Sequence, residues 1–204
     1  MSVNFELLIN SFLETRVGEL DDFLSKDLSL ELSARLMLLY SEEELRLAGI
    51  GNRFDAAIEP NIRKDKIFWL DQKNLNTSEK AFFILIDAFV AFLNRTCFAG
   101  IKSYEFHYAL YEKGAFYKKH LDQFKTDQGR AFSMIVYLNE GWVKEDGGEL
   151  KIYNTTEIKL ISPNNRKCVF FKSDELPHEV LESHKSRMSI TGWLKTTKEL
   201  PVAL

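Results

Sequence analysis

The hydrophobic periods along this chain predict an α+β, mainly β protein. Its core is a double-stranded β-helix of the jelly-roll, cupin-like kind, supported by N-terminal helices. Three observations carry that prediction. Apolar side chains in the first half recur at helical spacing; from Tyr104 onward the period switches to two; and turn signals cut the second half into many short segments. A helical block followed by a series of short strands packs as helices on a rolled antiparallel double sheet.

Phe5, Leu8, Ile9, Phe12 and Leu13 mark the first helix, and Leu32, Leu36, Leu39 and Tyr40 the second, with Ser29 as its expected N-cap. Thr77-Ser78, then Glu79, Lys80 and a long apolar run to Phe92, predict a nearly buried third helix that stops in 94–100. Between the second and third helices, 48–61 carries Gly49, Gly51 and Pro60 and reads as a loop or hairpin. A strand over 62–70 follows. In the second half the expected strands are 104–111, 131–138, 149–153, 158–161, 167–171, 178–181 and 187–194. Asp146-Gly147-Gly148, Ser162-Pro163-Asn164-Asn165 and Leu176-Pro177 supply the turns.

Composition bounds the function. With 45% hydrophobic and 28% charged residues over 204 positions, the chain is an ordinary soluble globular protein able to bury a sizeable core. A net charge of -3 gives no global basic field for nucleic acid. Lys113, Lys118, Lys119, Lys125 and Arg130 do cluster around a His-Leu-Asp motif; the two readings are a solvated rim and a mild steering field for an anion. Cys97 and Cys168 sit in apolar runs and read as small buried hydrophobes, without a disulfide framework. No secretory signal, transit peptide or membrane span is expected, so the default is a reducing cytoplasm with no membrane partner.

The chemistry concentrates in His120, Asp122, His178 and Arg187. Residues i and i+2 of a strand project to one side, so His120 and Asp122 can face a metal while Leu121 turns away; His178 must then come from across the roll. Two imidazoles and a carboxylate, with no thiolate nearby, disfavour structural zinc and favour Fe(II), with Mn(II) or Ni(II) as competitors. Such a facial set leaves positions open for a co-substrate and O2. A lone His-x-Asp is a weak signal. His184 reads as an exposed turn residue, and His107 as either cavity lining or satisfied burial.

Further along, Arg187, Ser189, Thr191 and Trp193 share one strand face, while Met188, Ile190, Gly192 and Leu194 make the apolar face that packs on helices. A polar face inside a β-roll implies a site. Arginine holds a carboxylate through two parallel charge-assisted bonds, and a Ser or Thr hydroxyl adds a third; the competing reading is a buried structural ion pair. The Tyr137 hydroxyl is within reach of the same carboxylate, and Tyr111 is placed for its keto-acid end. Core packing competes for each tyrosine.

These motifs identify a resemblance. Ile62 to Trp69, Tyr117 to Asp122, Gly129-Arg130, Val136 to Asn139, Gly147 to Leu150, Val169 to Asp174, Pro177 to Val180 and Arg187 to Trp193 together resemble the Fe(II)/2-oxoglutarate-dependent prolyl 4-hydroxylase family. The likeness is greatest to the hypoxia-inducible-factor prolyl hydroxylases and their bacterial relatives, and it runs from about Ala48 to Trp193.

It implies one dioxygenase domain over 1–204: helical support plus a substrate loop (about 48–65) within 1–100, and a catalytic core over 101–196. It implies Fe(II) on His120, Asp122 and His178, and the distal 2-oxoglutarate carboxylate on Arg187, Tyr137 and Thr191, with Tyr111 at the other end. O2 is the second co-substrate and ascorbate an accessory. Asp65 and Arg130 would pair across the cavity mouth when the 48–65 loop closes, Phe54 would touch substrate, and Trp69 would be core. The implied reaction is C4 hydroxylation of a proline in a protein, such as a translation factor, with release of succinate and CO2. The alternatives are oxidation of a small molecule or free amino acid, an inactive metal-binding module, and nucleic-acid demethylation, which the acidic charge disfavours.

Overall fold

The computed structural model describes residues 3–49, 57–123, 129–154 and 157–197. Its helices are α1 (Phe5–Thr15), α2 (Lys26–Ser41) and α3 (Thr77–Thr96). Its strands are β1 (Gly18–Leu20), β2 (Arg46–Leu47), β3 (Lys66–Trp69), β4 (Ser103–Tyr111), β5 (Tyr117–His120), β6 (Arg130–Tyr137), β7 (Leu150–Tyr153), β8 (Ile158–Ile161), β9 (Cys168–Lys172), β10 (His178–Val180) and β11 (Arg187–Lys195).

Each helix begins at a residue whose side chain accepts an otherwise unpaired amide. Asn4 caps α1 and Asn76 caps α3, the latter in a full capping box with Glu79. The cap of α2 is Ser25, whose hydroxyl accepts from Leu28, rather than the expected Ser29. Ser29 is already one turn inside the helix, where it is buried and donates to Asn165.

The strands form two antiparallel sheets. One has seven strands in the order β1-β9-β6-β11-β4-β3-β2, the other four in the order β5-β10-β7-β8. β1, β2 and β5 escape the alternation signal because they are short and, in part for β1 and wholly for β2 and β5, exposed to solvent or only half-buried. Of the stretch expected as a strand over 62–70, only 66–69 forms a strand, and Arg63 makes an isolated bridge to Tyr117. β2 and β3 pair with each other, so the 48–65 excursion leaves and rejoins the same sheet edge; residues 50–56 lie outside the described residues.

Two apolar layers result. The outer face of the large sheet meets the helices through Phe82, Phe89, Phe106, Met134, Phe170, Ile190 and Leu194. Gly192 permits this packing, since a Cβ there would lie 2.3 Å from a Phe106 ring carbon. The inner face meets the small sheet through Tyr111, Ile135, Tyr137, Leu150, Ile152, Phe171 and Val180. Adjacent phenylalanines on β9 thus point to opposite layers, as period two requires. Cys168 is buried, but Cys97, expected in the core, is exposed where α3 ends; both are free thiols. No described helix is long and apolar enough to cross a membrane.

Candidate metal centre and co-substrate cavity

β5 and β10 are neighbours in the small sheet, with His178 directly opposite His120. The third ligand candidate therefore comes from the adjacent strand, and not from across the roll. Asp122 lies just past β5, where the chain bends back and buries its carboxylate; Leu121 is 42% exposed and points away. One donor atom from each of His120, Asp122 and His178 lies within 4.8 Å of the others. The two imidazole Nε2 atoms stand 3.4 and 3.5 Å from the Asp122 carboxylate oxygens.

The backbone sets the tautomers. Nδ1 of His120 is 2.8 Å from the Lys118 carbonyl and Nδ1 of His178 is 3.0 Å from that of Leu176. A carbonyl only accepts, so each Nδ1 carries a proton and each Nε2 is the ring atom turned inward. Burial pushes His178 down to about 4, overcoming the opposing pull of Asp122, so this ring is neutral near pH 7. Burial alone would push the Asp122 carboxyl up. His178, His120 and a 2.6 Å hydrogen bond donated by Ser133 outweigh it and hold Asp122 well below the usual carboxylate range. Ser133 is oriented in turn by the Ser173 hydroxyl at 2.9 Å. A ligand-ready carboxylate and two ligand-ready imidazoles fit a divalent first-row ion of intermediate hardness.

A cavity of about 280 Å³ opens beside this group. β11 and β4 supply its far wall, and their register places Arg187 opposite Tyr111 and Thr191 opposite His107. Arg187 is 1% exposed. Its Nε donates to the Gly148 carbonyl at 2.9 Å, and its guanidinium carbon lies 4.9 Å from the Tyr111 ring centroid and 5.0 Å from that of Tyr137. No described carboxylate pairs with it, which removes the ion-pair reading; its Nη2 is buried without a hydrogen-bond partner. The Tyr137 hydroxyl is likewise buried without a partner in proper hydrogen-bond geometry. Burial pushes that phenol up to about 12, against the opposing charge of the adjacent guanidinium. A buried cation and a buried hydroxyl with unused donors lack a counter-anion, and each such group costs of order 1–3 kcal/mol or more if left so. The donor set matches a carboxylate.

Gly148 fits this arrangement closely: its φ is +66°, and a Cβ there would come 3.0 Å from the Arg187 side chain. Tyr111, Thr191, Trp193 and His107 line the cavity; Tyr137 sits behind Arg187, and Ser189 is fully buried beside Thr191 at 3.3 Å.

At the mouth two expectations meet a different arrangement. Asp65 and Arg130 both line the cavity but do not pair. Asp65 accepts two hydrogen bonds from Arg63, at 2.8 and 2.6 Å, while Arg130 bonds Glu105 at 2.7 Å and lies 3.5 Å from the Trp193 ring centroid. Trp69 is cavity wall against His107 rather than core. Of the basic cluster, Lys113, Lys118 and Lys119 are exposed, Arg130 is buried in its ion pair, and Lys125 lies outside the described residues, as does Phe54. His184 is exposed, as expected. Ser133, Arg63 and Tyr117 were not legible as site residues; only the polar interior alternation of β6 and the Arg63-x-Asp65 spacing hinted at them.

Residues 106–195 match the family model described as the 2OG-Fe(II) oxygenase superfamily. The crystal structure of a Pseudomonas putida prolyl-4-hydroxylase is 32% identical, covers 93% of this chain and 97% of its own, and superposes with a TM-score of 0.83. The chain belongs to the 2OG-Fe(II) oxygenases. Within that superfamily its place is in the prolyl hydroxylase family, with homologues in animals as well as bacteria. A Caenorhabditis elegans hypoxia-inducible factor prolyl hydroxylase is 32% identical over 71% of this chain, which spans only 21% of that protein. The human prolyl hydroxylase EGLN3 is 26% identical over 97% of this chain and 85% of its own length. A Trichoplax adhaerens prolyl hydroxylase, solved with a hypoxia inducible factor oxygen degradation domain peptide, shares the fold with a TM-score of 0.84 at 24% identity.

Proposed function

We propose that this protein hydroxylates C4 of a prolyl residue in a protein substrate, using Fe(II), 2-oxoglutarate and O2. One observation carries the reading: a His-Asp-His group and an unpaired, fully buried arginine with a tyrosine hydroxyl share one region of the fold. The whole chain then acts as a single dioxygenase domain, with 1–100 as support and entrance and 101–196 as the core.

In this reading His120, Asp122 and His178 hold the iron. Arg187 takes the distal carboxylate of 2-oxoglutarate, Tyr137 and Thr191 add hydroxyl donors, and Tyr111 lies along the co-substrate. When bound there, Fe(II) with 2-oxoglutarate and O2 supplies the oxidising power that converts C–H to C–OH and releases succinate and CO2. The protein's own contributions are geometric and electrostatic. Ionised Asp122 brings one negative charge to the site, kept in orientation by Ser133. The guanidinium fixes the co-substrate's far end by charge-assisted hydrogen bonds in a water-poor pocket. Trp69, His107 and Trp193 form an aromatic wall whose ring faces suit a pyrrolidine ring.

Mass spectrometry of lysate proteins treated with wild-type or His120→Ala enzyme tests the reading. It stands if prolyl residues gain one oxygen only with wild type, and it falls if the oxygen appears on a free amino acid instead. A translation factor is the first protein fraction to examine. Ascorbate is expected to prolong turnover without being consumed in proportion to product.

A further inference from the structure

We propose that Arg63 and Tyr117 are positioning residues for His120, tying the segment at the cavity entrance to the metal centre. The inference rests on the reading that His120 is a metal ligand.

Both histidines are anchored through Nδ1 to a backbone carbonyl, but the support around each ring differs. His178 sits on a strand with hydrogen-bonded neighbours on both sides, β5 and β7, and its ring abuts Phe171 edge-on at 4.8 Å. His120 is the last residue of β5, an edge strand whose sheet neighbour lies on one side only. A ligand at the end of an edge strand needs its orientation fixed from elsewhere, because the sheet alone leaves it free to swing. Its ring is instead stacked on Tyr117, with centroids 3.6 Å apart and planes within 14°. The Arg63 guanidinium carbon lies 4.2 Å from the same Tyr117 centroid. Two groups that close to one ring would collide on a single face, so the phenol is sandwiched between them.

Arg63 is itself immobilised. Asp65, 1% exposed, takes two of its donors and the Gly49 carbonyl a third at 3.0 Å. The backbone repeats the connection: Lys118 donates to Ile62 at 2.8 Å, Lys64 donates to Phe116 at 3.0 Å, and Arg63 bridges to Tyr117. Residues 62–64 thus cover the edge of β5 that no sheet strand occupies. A continuous path runs from Gly49 and Asp65 through the Arg63–Tyr117 stack to His120. Any rearrangement of the entrance that withdraws Arg63 loosens one face of the stack, and metal bound at His120 tightens it in return. The coupling is reciprocal by linkage.

The test is a titration of the full chain with Mn(II) followed by electron paramagnetic resonance, paired with the electronic spectrum of the Co(II) form. Melting curves confirm folding of each variant. Wild type is expected to bind saturably and His120→Ala to lose that binding. Tyr117→Leu, which removes the ring, is expected to bind about tenfold more weakly or worse and to shift the Co(II) bands. Tyr117→Phe, which keeps the stack and drops only the hydroxyl, should stay within about twofold, with unchanged bands. The double variant Arg63→Gln with Asp65→Asn removes the cation and leaves a neutral polar pair; its expected loss is roughly three- to fivefold.

If Tyr117→Leu folds and binds Mn(II) like wild type with an unshifted Co(II) spectrum, the positioning role is overturned while the ligand reading stands. If it does not fold, the double variant decides, and wild-type affinity there overturns the proposal. Equal binding by wild type and His120→Ala would remove the ligand reading and this proposal together.

Discussion

The two faces of the seven-stranded sheet come from the same strands and follow opposite rules. On β9, Phe170 packs under the helices against Phe12, Phe89 and Phe132, while its neighbour Phe171 faces inward against His178. On β11, Ile190 and Leu194 are fully buried among the helices, while Arg187 and Ser189 are as fully buried on the other side. The outer face is dominated by close apolar packing, with the Tyr108 hydroxyl as an uncharged polar tip buried within it. The inner face keeps buried donors unpaired at Arg187 and Tyr137, which is costly in an apoprotein and useful only where a ligand completes them. Stability and chemistry are thus separated by one pleat.

That separation can be broken from either side. The largest effect belongs to the inner side. His178→Ala removes a buried ligand candidate, and 2-oxoglutarate turnover, read as succinate by chromatography, is expected to fall to background while the apoprotein still melts cooperatively. A clear succinate signal from this variant would show that the inner face is not where the chemistry resides.

On the outer side, Phe170→Ala empties a fully buried site between α1, α3 and β6, at an expected cost of about 3–5 kcal/mol in urea unfolding. Metal affinity of the fraction still folded should be unchanged. Phe171→Ala sits one residue away and should instead combine a cavity cost with weaker metal binding through His178. Equal metal affinity in the two variants would erase the distinction between the faces.

Acid discriminates as well. His178 is near 6.5 when unfolded and about 4 when folded, so as pH falls through this window the unfolded chain takes up a proton that the folded chain refuses. Stability contributed by the neutral ring is present above pH 6.5 and is lost toward pH 4, on the order of 3 kcal/mol over the window. The apoprotein should therefore lose stability across that range, and His178→Gln should flatten the dependence. Acid titration of Phe170→Ala should keep the wild-type slope.

Arg187→Lys retains the charge but loses the planar fork, and is expected to raise KM for 2-oxoglutarate roughly 10- to 100-fold with a smaller change in kcat. A rise in metal Kd with KM unchanged would place Arg187 in a structural role.

Much of this was legible in sequence because periodicity reports burial. The alternation in 104–111, 131–138 and 187–194 marked β4, β6 and β11 to within a residue or so, and a polar stripe on an interior strand marked the site. What escaped depends on pairing between distant segments. Nothing local states that β5 lies beside β10, so His178 was expected from the opposite wall. Nor does any local pattern say that Asp65 spends both carboxylate oxygens on Arg63, or that Arg130 is committed to Glu105, because partner choice among nearby charges follows from tertiary geometry. Cys97 differs from expectation for a related reason: an apolar run that ends a helix can end at the surface.

The smallest effect offers the finest test of the inner face. Ser133 lies on β6 opposite Trp193, fully buried, and its hydroxyl is the only described side-chain donor outside the histidine pair and bonded to the Asp122 carboxylate. Ser133→Ala leaves shape nearly unchanged but removes the bond that orients Asp122 and frees Ser173 from its partner. Outer partners of metal ligands typically contribute tenfold or more, so Mn(II) affinity should fall about tenfold while KM for 2-oxoglutarate, which the proposed reading assigns to Arg187, stays within about twofold. Ser133→Thr, which restores a hydroxyl at the cost of a methyl, should recover part of the loss if its side chain can turn toward Asp122. Equal Mn(II) affinity in wild type and Ser133→Ala would mean that burial and the two imidazoles alone orient the carboxylate, leaving the inner-face hydroxyls as packing.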